Sequence, residues 1–333
     1  MERRTLGRTG VEVSVLGMGC GAVGGLMTRG EPADQERAVA RALELGINVF
    51  DTAPSYGDGR SETNTGRALA RLASGADSDV FLSTKFTIRI EDHGHEARAV
   101  SDSLEASLRR LGRDRVDLLQ LHNAIGPDDG GRTLEPARIL GEVVPALARM
   151  RDQGKIRFTG VTAVGDVAAL RQIIDAGAFD TAQIPYNLLN PSPVTPMPMG
   201  IPGQDFGQIG QRAHDAGMGT IGIRALAGGA LSGSTARDPI GMASVAPMGT
   251  GADYAADVDG AHLFESLVRA GYVGGLIEAA MRFAITTDAI STALVGLANI
   301  EQLEIAAAAV NRGPLTAAAL AELPAIWERL AAR

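Results

Sequence analysis

The chain has 333 residues, 45% of them apolar, enough for a sizeable core in one large or two small domains. Its 31 basic and 39 acidic residues give a net charge of −8, which argues against nucleic acid or an anionic membrane as a partner. Cys20 is the single cysteine, no segment approaches the ~20 apolar residues of a bilayer span, and the first residues lack a signal-peptide core, so a cytoplasmic protein is expected.

In chain order, residues 3–14 read as a hairpin around a turn at 7–10. Strands are expected at 13–17, 48–52, 80–86, 116–121, 156–161, 181–185, 220–224 and 291–295. Helical patterns follow them at 33–45, 61–72, 96–111, 136–153, 166–175, 205–216, 263–285 (in one or two pieces) and 300–310, with a last helix at 316–332. The strands are short, apolar on both faces and separated by helices, so they should pair in parallel and be covered outside. Eight such units fit a (β/α)₈ TIM barrel better than an open doubly wound sheet. No composition break divides the chain, so residues 1–333 are expected to form one domain, with the hairpin plugging the barrel floor. Three loops, 123–135, 188–203 and 228–259, exceed the usual length and follow strands, which puts them on the carboxyl-end face where barrels carry their chemistry.

The stretch G-M-G-C-G-A-V-G-G at 17–25 contains G-x-G-x-x-G, the fingerprint of a Rossmann dinucleotide site. It fails as one. The last glycine should open a helix, but residues 26–32 intervene before any helical pattern begins. Asp51, the carboxylate after the next strand, lies 27 residues past Gly24 where ~20 is expected. The glycines read better as a loop leaving the first strand, kept small so that ligands can approach the backbone.

Ionisable residues collect at the ends of three consecutive strands. Asp51 ends the second, with Tyr56 five residues on between Pro54 and Gly57; Lys85 ends the third and His122 the fourth. Adjacent parallel strands bring the four to one mouth. Asp51 would partner a Lys85 ammonium that is costly to bury alone. A lysine within ~4–6 Å favours the phenolate, lowering a tyrosine pKa from about 10. His122 would donate a hydrogen bond to a substrate oxygen. The set suits protonation of a carbonyl oxygen during reduction, or the reverse alcohol oxidation, and requires a hydride source such as a nicotinamide. No H-E-x-x-H spacing suggests zinc, and His93 and His95 read as solvated loop residues. A hydrolytic or isomerising barrel using Asp51, Lys85 and His122 is the alternative of a different class, with turnover independent of cofactor as its mark.

Over essentially its whole length the chain resembles the aldo-keto reductase superfamily, on the strength of F-D-T-A-P-S-Y-G at 50–57, S-T-K-F at 83–86 and D-L-L-Q-L-H-N at 117–123. The resemblance implies that Asp51, Tyr56, Lys85 and His122 form a catalytic tetrad. It also implies a barrel binding NADP(H) in an extended pose across its mouth, with NAD(H) close behind. For the cofactor it implies contacts from Asp51, from Thr162 in G-V-T-A and from Gln183 in A-Q-I-P-Y-N. Arg224, Leu226 and Gly228 in R-A-L-A-G-G-A-L-S-G correspond to the loop over the pyrophosphate. Gly296, Asn299 and Gln302 in V-G-L-A-N-I-E-Q-L-E-I-A correspond to the adenosine end. That last segment lacks the lysine or arginine usual for a 2′-phosphate, and Ile305 and Ala306 replace the expected Glu and Asn. Superfamily members that bind cofactor and gate a partner with little turnover supply a second functional reading. Asn123 after His122 and an aromatic content of 4% suggest a small carbonyl or sugar-like substrate. The sequence carries no signal for an oligomeric state.

Overall fold

Side-chain alternation along eight short strands builds the molecule from the inside out. They are β1 (Leu16–Gly19), β2 (Val49–Asp51), β3 (Phe81–Phe86), β4 (Val116–Leu121), β5 (Ile156–Thr162), β6 (Thr181–Pro185), β7 (Gly219–Ile223) and β8 (Thr292–Gly296). They pair in parallel in chain order, and β8 closes on β1 to complete a (β/α)₈ barrel. This is a computed structural model describing residues 1–72, 79–131, 133–197, 200–249 and 251–333. Residues 132, 198–199 and 250 of the three long loops therefore lie outside the described residues.

Outward residues such as Phe50, Leu82, Phe86, Leu119 and Ala182 join the large core beneath the helices. Inward residues fall in layers because successive inward positions are two apart. The lowest layer holds Val49, Phe81, Leu118, Ile221 and Leu294, sealed by Leu6 and Val13 of the amino-terminal hairpin. That hairpin pairs Arg3–Thr5 with Glu12–Ser14 and closes the floor as expected. Moving up two residues replaces apolar side chains with polar ones: Asp51, Ser83, Gln120 and Gln183. One step higher come Lys85 and His122. Gly160 makes room for this polar layer, since a Cβ there would lie 2.9 Å from the Gln120 side chain.

Several expected boundaries shift, each for a local reason. The apolar run at 13–17 serves two strands, the hairpin arm Glu12–Ser14 and barrel strand β1, with Val15 between them. A one-turn helix, Leu26–Arg29, begins directly after Gly25, where an uninterrupted loop was expected. The helix expected at 136–153 contains a π-helical turn at Ile139–Val143, just before Pro145, which has no N–H to continue the regular ladder. Left-handed Gly207 and Gln208 delay the helix expected at 205 until Ile209–Asp215. Gly271 (φ 77°), Gly274 and Gly275 split the segment 263–285, so that its barrel helix is only Leu276–Ala284. The long loop 228–259 is not all irregular: Asp253 caps a helix at Tyr254–Ala261 by accepting from the Ala256 N–H. Two helices matter most below, α8 (Ile300–Val310) after β8 and the terminal α9 (Ala317–Ala331). Among the described residues no helix is long and apolar enough to cross a membrane.

Candidate active site

The carboxyl ends of β2, β3 and β4 bring the four expected ionisable residues together. Asp51 and Lys85 are buried and paired, with Lys85 Nζ 2.5 Å from Asp51 Oδ2 and 2.8 Å from the Thr52 carbonyl. The Lys85 ammonium lies 4.8 Å from the centroid of the Tyr56 ring. Tyr56 and His122 meet edge to face, with ring centroids 5.9 Å apart. Tyr56 is turned over the mouth by a tight bend in which Gly57, Asp58 and Gly59 are all left-handed (φ 63°, 55° and 80°). The bend continues into a helix at Arg60–Leu72, whose Ser61 hydroxyl donates to the Cys20 carbonyl 2.7 Å away. The bend is thereby tied to the loop leaving β1.

Below the mouth, Asp51 is held by more partners than the sequence suggested. Its Oδ1 accepts from Ser83 Oγ (3.0 Å), Gln120 Nε2 (3.1 Å) and Gln183 Nε2 (2.8 Å), and Gln120 also donates to Ser83 Oγ at 2.7 Å. Ser83 and Gln120 sit two residues before Lys85 and His122. The same period-two rule that placed the charged residues inward could have found them. Gln183, expected at the cofactor, reaches the site but turns its amide N–H to Asp51.

The electrostatics differ from expectation at Tyr56. Burial raises its pKa above the ordinary value, and the opposing pull of Lys85 does not reverse it. Burial also works against the Lys85 ammonium, but the Asp51 and Tyr56 charges outweigh it, so the lysine pKa is raised. Burial, then the Lys85 charge, push His122 from 6.5 down to about 3, which makes it neutral across the physiological range.

Asp51, Tyr56 and His122 open onto an elongated cavity of about 450 Å³ that runs out over the β7 and β8 ends. Lys85 does not line it and stays buried behind. Of the residues the resemblance assigns to the cofactor, Thr162, Gln183, Arg224, Leu226, Gly228, Gly296 and Gln302 line it. Asn299 does not: its Oδ1 caps α8 by accepting from the Gln302 N–H (3.0 Å), and its Nδ2 donates to Asp238. Gln302 Oε1 reciprocates by accepting from the Ala298 N–H at 2.8 Å. Asn123, read as a substrate determinant, instead clamps Ile88, accepting from its N–H and donating to its carbonyl. Arg237, Asp238 and Tyr254 line the cavity without having been anticipated. They fold back from the long loop, and no local pattern announces that. His93 is half-buried and His95 exposed, and no metal-binding cluster occurs among the described residues.

Two features fit a dinucleotide. The Thr162 hydroxyl is buried, lines the cavity and has no hydrogen-bond partner among the described residues, an unusual cost unless a ligand supplies one. The β7 exit holds Arg224, Ala227, Gly228 and Gly229 in left-handed conformations (φ 62°, 46°, 68° and 107°). Strain of that kind in non-glycine residues collects at binding sites, and successive backbone N–H groups in turns can form anion-binding concavities. Arg224 opens onto the cavity, and its crowded surroundings lower its pKa below the ordinary guanidinium value.

Residues 15–328 match the profile described as "Aldo/keto reductase family". The chain is 36% identical to L-galactose dehydrogenase of Arabidopsis thaliana over 163 residues, 49% of this chain and 48% of that protein. It is 30% identical over 207 residues to an NADH-specific methylglyoxal reductase of Escherichia coli strain K12, covering 57% and 60% of the two chains. It spans only about half to three fifths of the length of these curated relatives. An aldo-keto reductase from Bacillus halodurans in its holo form superposes over 99% of this chain and 96% of its own, with TM-score 0.71 and 24% identity, a likeness of fold.

Proposed function

The chain belongs to the aldo/keto reductase family, and we propose that it is an NAD(P)(H)-dependent oxidoreductase that reduces a small aldehyde or ketone, with Tyr56 supplying the proton. The observation that carries this reading is a half-buried phenol facing a cavity and backed by a buried Lys85–Asp51 pair. When bound, the dinucleotide supplies the hydride. Thr162 and Gln183 would hold its carboxamide, and Arg224 with the Leu226–Gly228 turn its pyrophosphate. Gly296 and Gln302 would flank the adenosine. The β7-exit loop and the unpartnered Thr162 hydroxyl support that fit.

The remaining steps belong to the chain. His122, neutral, donates one ring N–H to the carbonyl oxygen and orients it. Tyr56 transfers its proton to that oxygen as negative charge develops there. The Lys85 ammonium then stabilises the phenolate left behind, and Asp51 keeps Lys85 in place. Ser83 and Gln120 hold Asp51 in turn. In the oxidative direction the same groups act in reverse on an alcohol or a lactol. The cavity wall includes Val23, Val164, Ile277 and Met248, with Tyr254 adding a hydroxyl. Small carbonyls, including those of the methylglyoxal and sugar type, suit that mixture.

The test is oxidation of NADH and NADPH by the purified protein with short aldehydes, ketones and aldoses. Turnover that consumes cofactor in step with carbonyl is expected. Tight dinucleotide binding without turnover on any carbonyl would favour a gating role, and turnover without cofactor would overturn the reading.

A further inference from the structure

One end of the cavity runs out over the β8–α8 junction, away from Tyr56 and His122. Gln302, Ile305 and Ala306 form its outer wall, and Asp238 faces them from the long loop after β7. That loop is pinned across the cavity. Arg237 Nη1 donates to the Gly228 carbonyl (2.8 Å), Arg29 Nε to that of Ile240 (2.6 Å), and the Met242 N–H to that of Val23 (3.1 Å). Asp238 is fixed within it, Oδ1 accepting from the Ile240 N–H and Oδ2 from Asn299 Nδ2, each at 3.1 Å. Each carboxylate oxygen keeps a lone pair for a further donor.

We infer that Asp238 makes this chain select NAD(H) over NADP(H). The inference rests on the dinucleotide reading above, because the adenosine must occupy the end that the nicotinamide does not. There a 2′-phosphate, carrying roughly −1.5 to −2 charges as phosphomonoesters do near neutral pH, would meet a carboxylate. Among the described residues of the β8–α8 junction that line the cavity, none is a cation. Leu297, Ala298, Ile305 and Ala306 are apolar. Arg237 is turned toward Gly228 and Met242, with its guanidinium 5.1 Å from the Tyr254 ring centroid. Arg29 does not line the cavity, and two of its nitrogens already donate to carbonyls.

The positive end of α8 would ordinarily attract an anion. Its first turn carries Glu301, and the Ala298 and Gln302 N–H groups are already taken by Gln302 Oε1 and Asn299 Oδ1. A ribose 2′-hydroxyl, by contrast, is a donor that matches the free lone pairs of Asp238. The resemblance to NADP(H) enzymes gives way here to an acid where a cation would be needed.

Equilibrium binding of NADH, NADPH, 5′-AMP and 2′,5′-ADP tests this without any turnover. The wild-type protein should bind NADH about tenfold or more tightly than NADPH, and 5′-AMP more tightly than 2′,5′-ADP, for a like-charge contact at partly screened range. Asp238→Asn should narrow both ratios by strengthening the phosphorylated ligands, and Asp238→Glu, which keeps the charge, should preserve them. Equal or tighter NADPH binding by the wild type would overturn the inference, as would ratios unchanged in Asp238→Asn. Failure of both dinucleotides to bind would overturn the proposed function itself.

Discussion

In the proposed reaction Tyr56, Lys85 and His122 divide the work of the site by charge, and their environments set that division. The raised pKa of Tyr56 means that its proton is available throughout the neutral range, so reduction should hold its rate there and decline only in alkali. His122 titrates near 3, so no inflection around 6.5 should appear in kcat/KM; one that vanished in His122→Asn would contradict its neutral role. The same depression has a stability consequence. Between pH 6.5 and about 3 the unfolded chain binds a proton that folded His122 refuses, so stability falls as pH drops through that window. Urea midpoints at pH 7 and 5 should differ less in His122→Asn than in the wild type. Lys85→Met would leave Asp51 buried without its partner, a loss of about 3–5 kcal/mol in typical cases. Pairing it with Asp51→Asn should recover much of that, read as a restored denaturation midpoint. The charged members of this site were legible because they interrupt apolar strands. Ser83 and Gln120, being uncharged, look ordinary in a strand and stand out only when the period-two rule is carried one layer down from Lys85 and His122.

At the scale of elements, the glycine run after β1 answers to packing as well as to ligand approach. A Cβ on Gly24 would lie 2.4 Å from the backbone nitrogen of Leu297 and 2.5 Å from its carbonyl oxygen, so the β1 exit presses directly on the β8 exit. Gly19, Gly21 and Gly24 of that run also line the cavity, and a Cβ on Gly21 would lie 3.8 Å from the Tyr56 ring. Gly24→Ala should therefore cost about 1–3 kcal/mol, because backbone rather than a movable side chain is in the way. Thermal unfolding checks this: an unshifted midpoint would show that the β8 exit can yield. Strand and helix existence was legible from periodicity, whereas boundaries moved wherever Gly207, Gly271 or Pro145 set the backbone. The helix at Tyr254–Ala261 was missed because its alanine-rich stretch lies inside a loop whose composition looked irregular.

For the whole molecule, closure of the barrel depends on the parts outside it. Helix α9 buries Leu323, Ile326, Trp327 and Leu330, and Trp327 donates its ring N–H to the Leu188 carbonyl at 2.8 Å. At about 1.5–3 kcal/mol for each buried side chain, removing residues 314–333 should exceed most of the ~5–15 kcal/mol that holds a typical domain together. A truncated chain with cooperative unfolding near the wild-type midpoint would contradict that estimate. The barrel was legible from eight alternating units. The course of residues 228–259 over the mouth was not, because it is set by tertiary hydrogen bonds such as Arg237 to Gly228 and Asn299 to Asp238.

In the proposed reaction the Tyr56 proton goes to the carbonyl oxygen as hydride arrives at its carbon. A single-turnover experiment with preformed protein–NADH complex and a small aldehyde measures that step directly. Tyr56→Phe should bind the cofactor as the wild type does and lose about 10²–10⁴-fold in the rate of its oxidation. An unchanged rate in that variant, with binding intact, would contradict the mechanism.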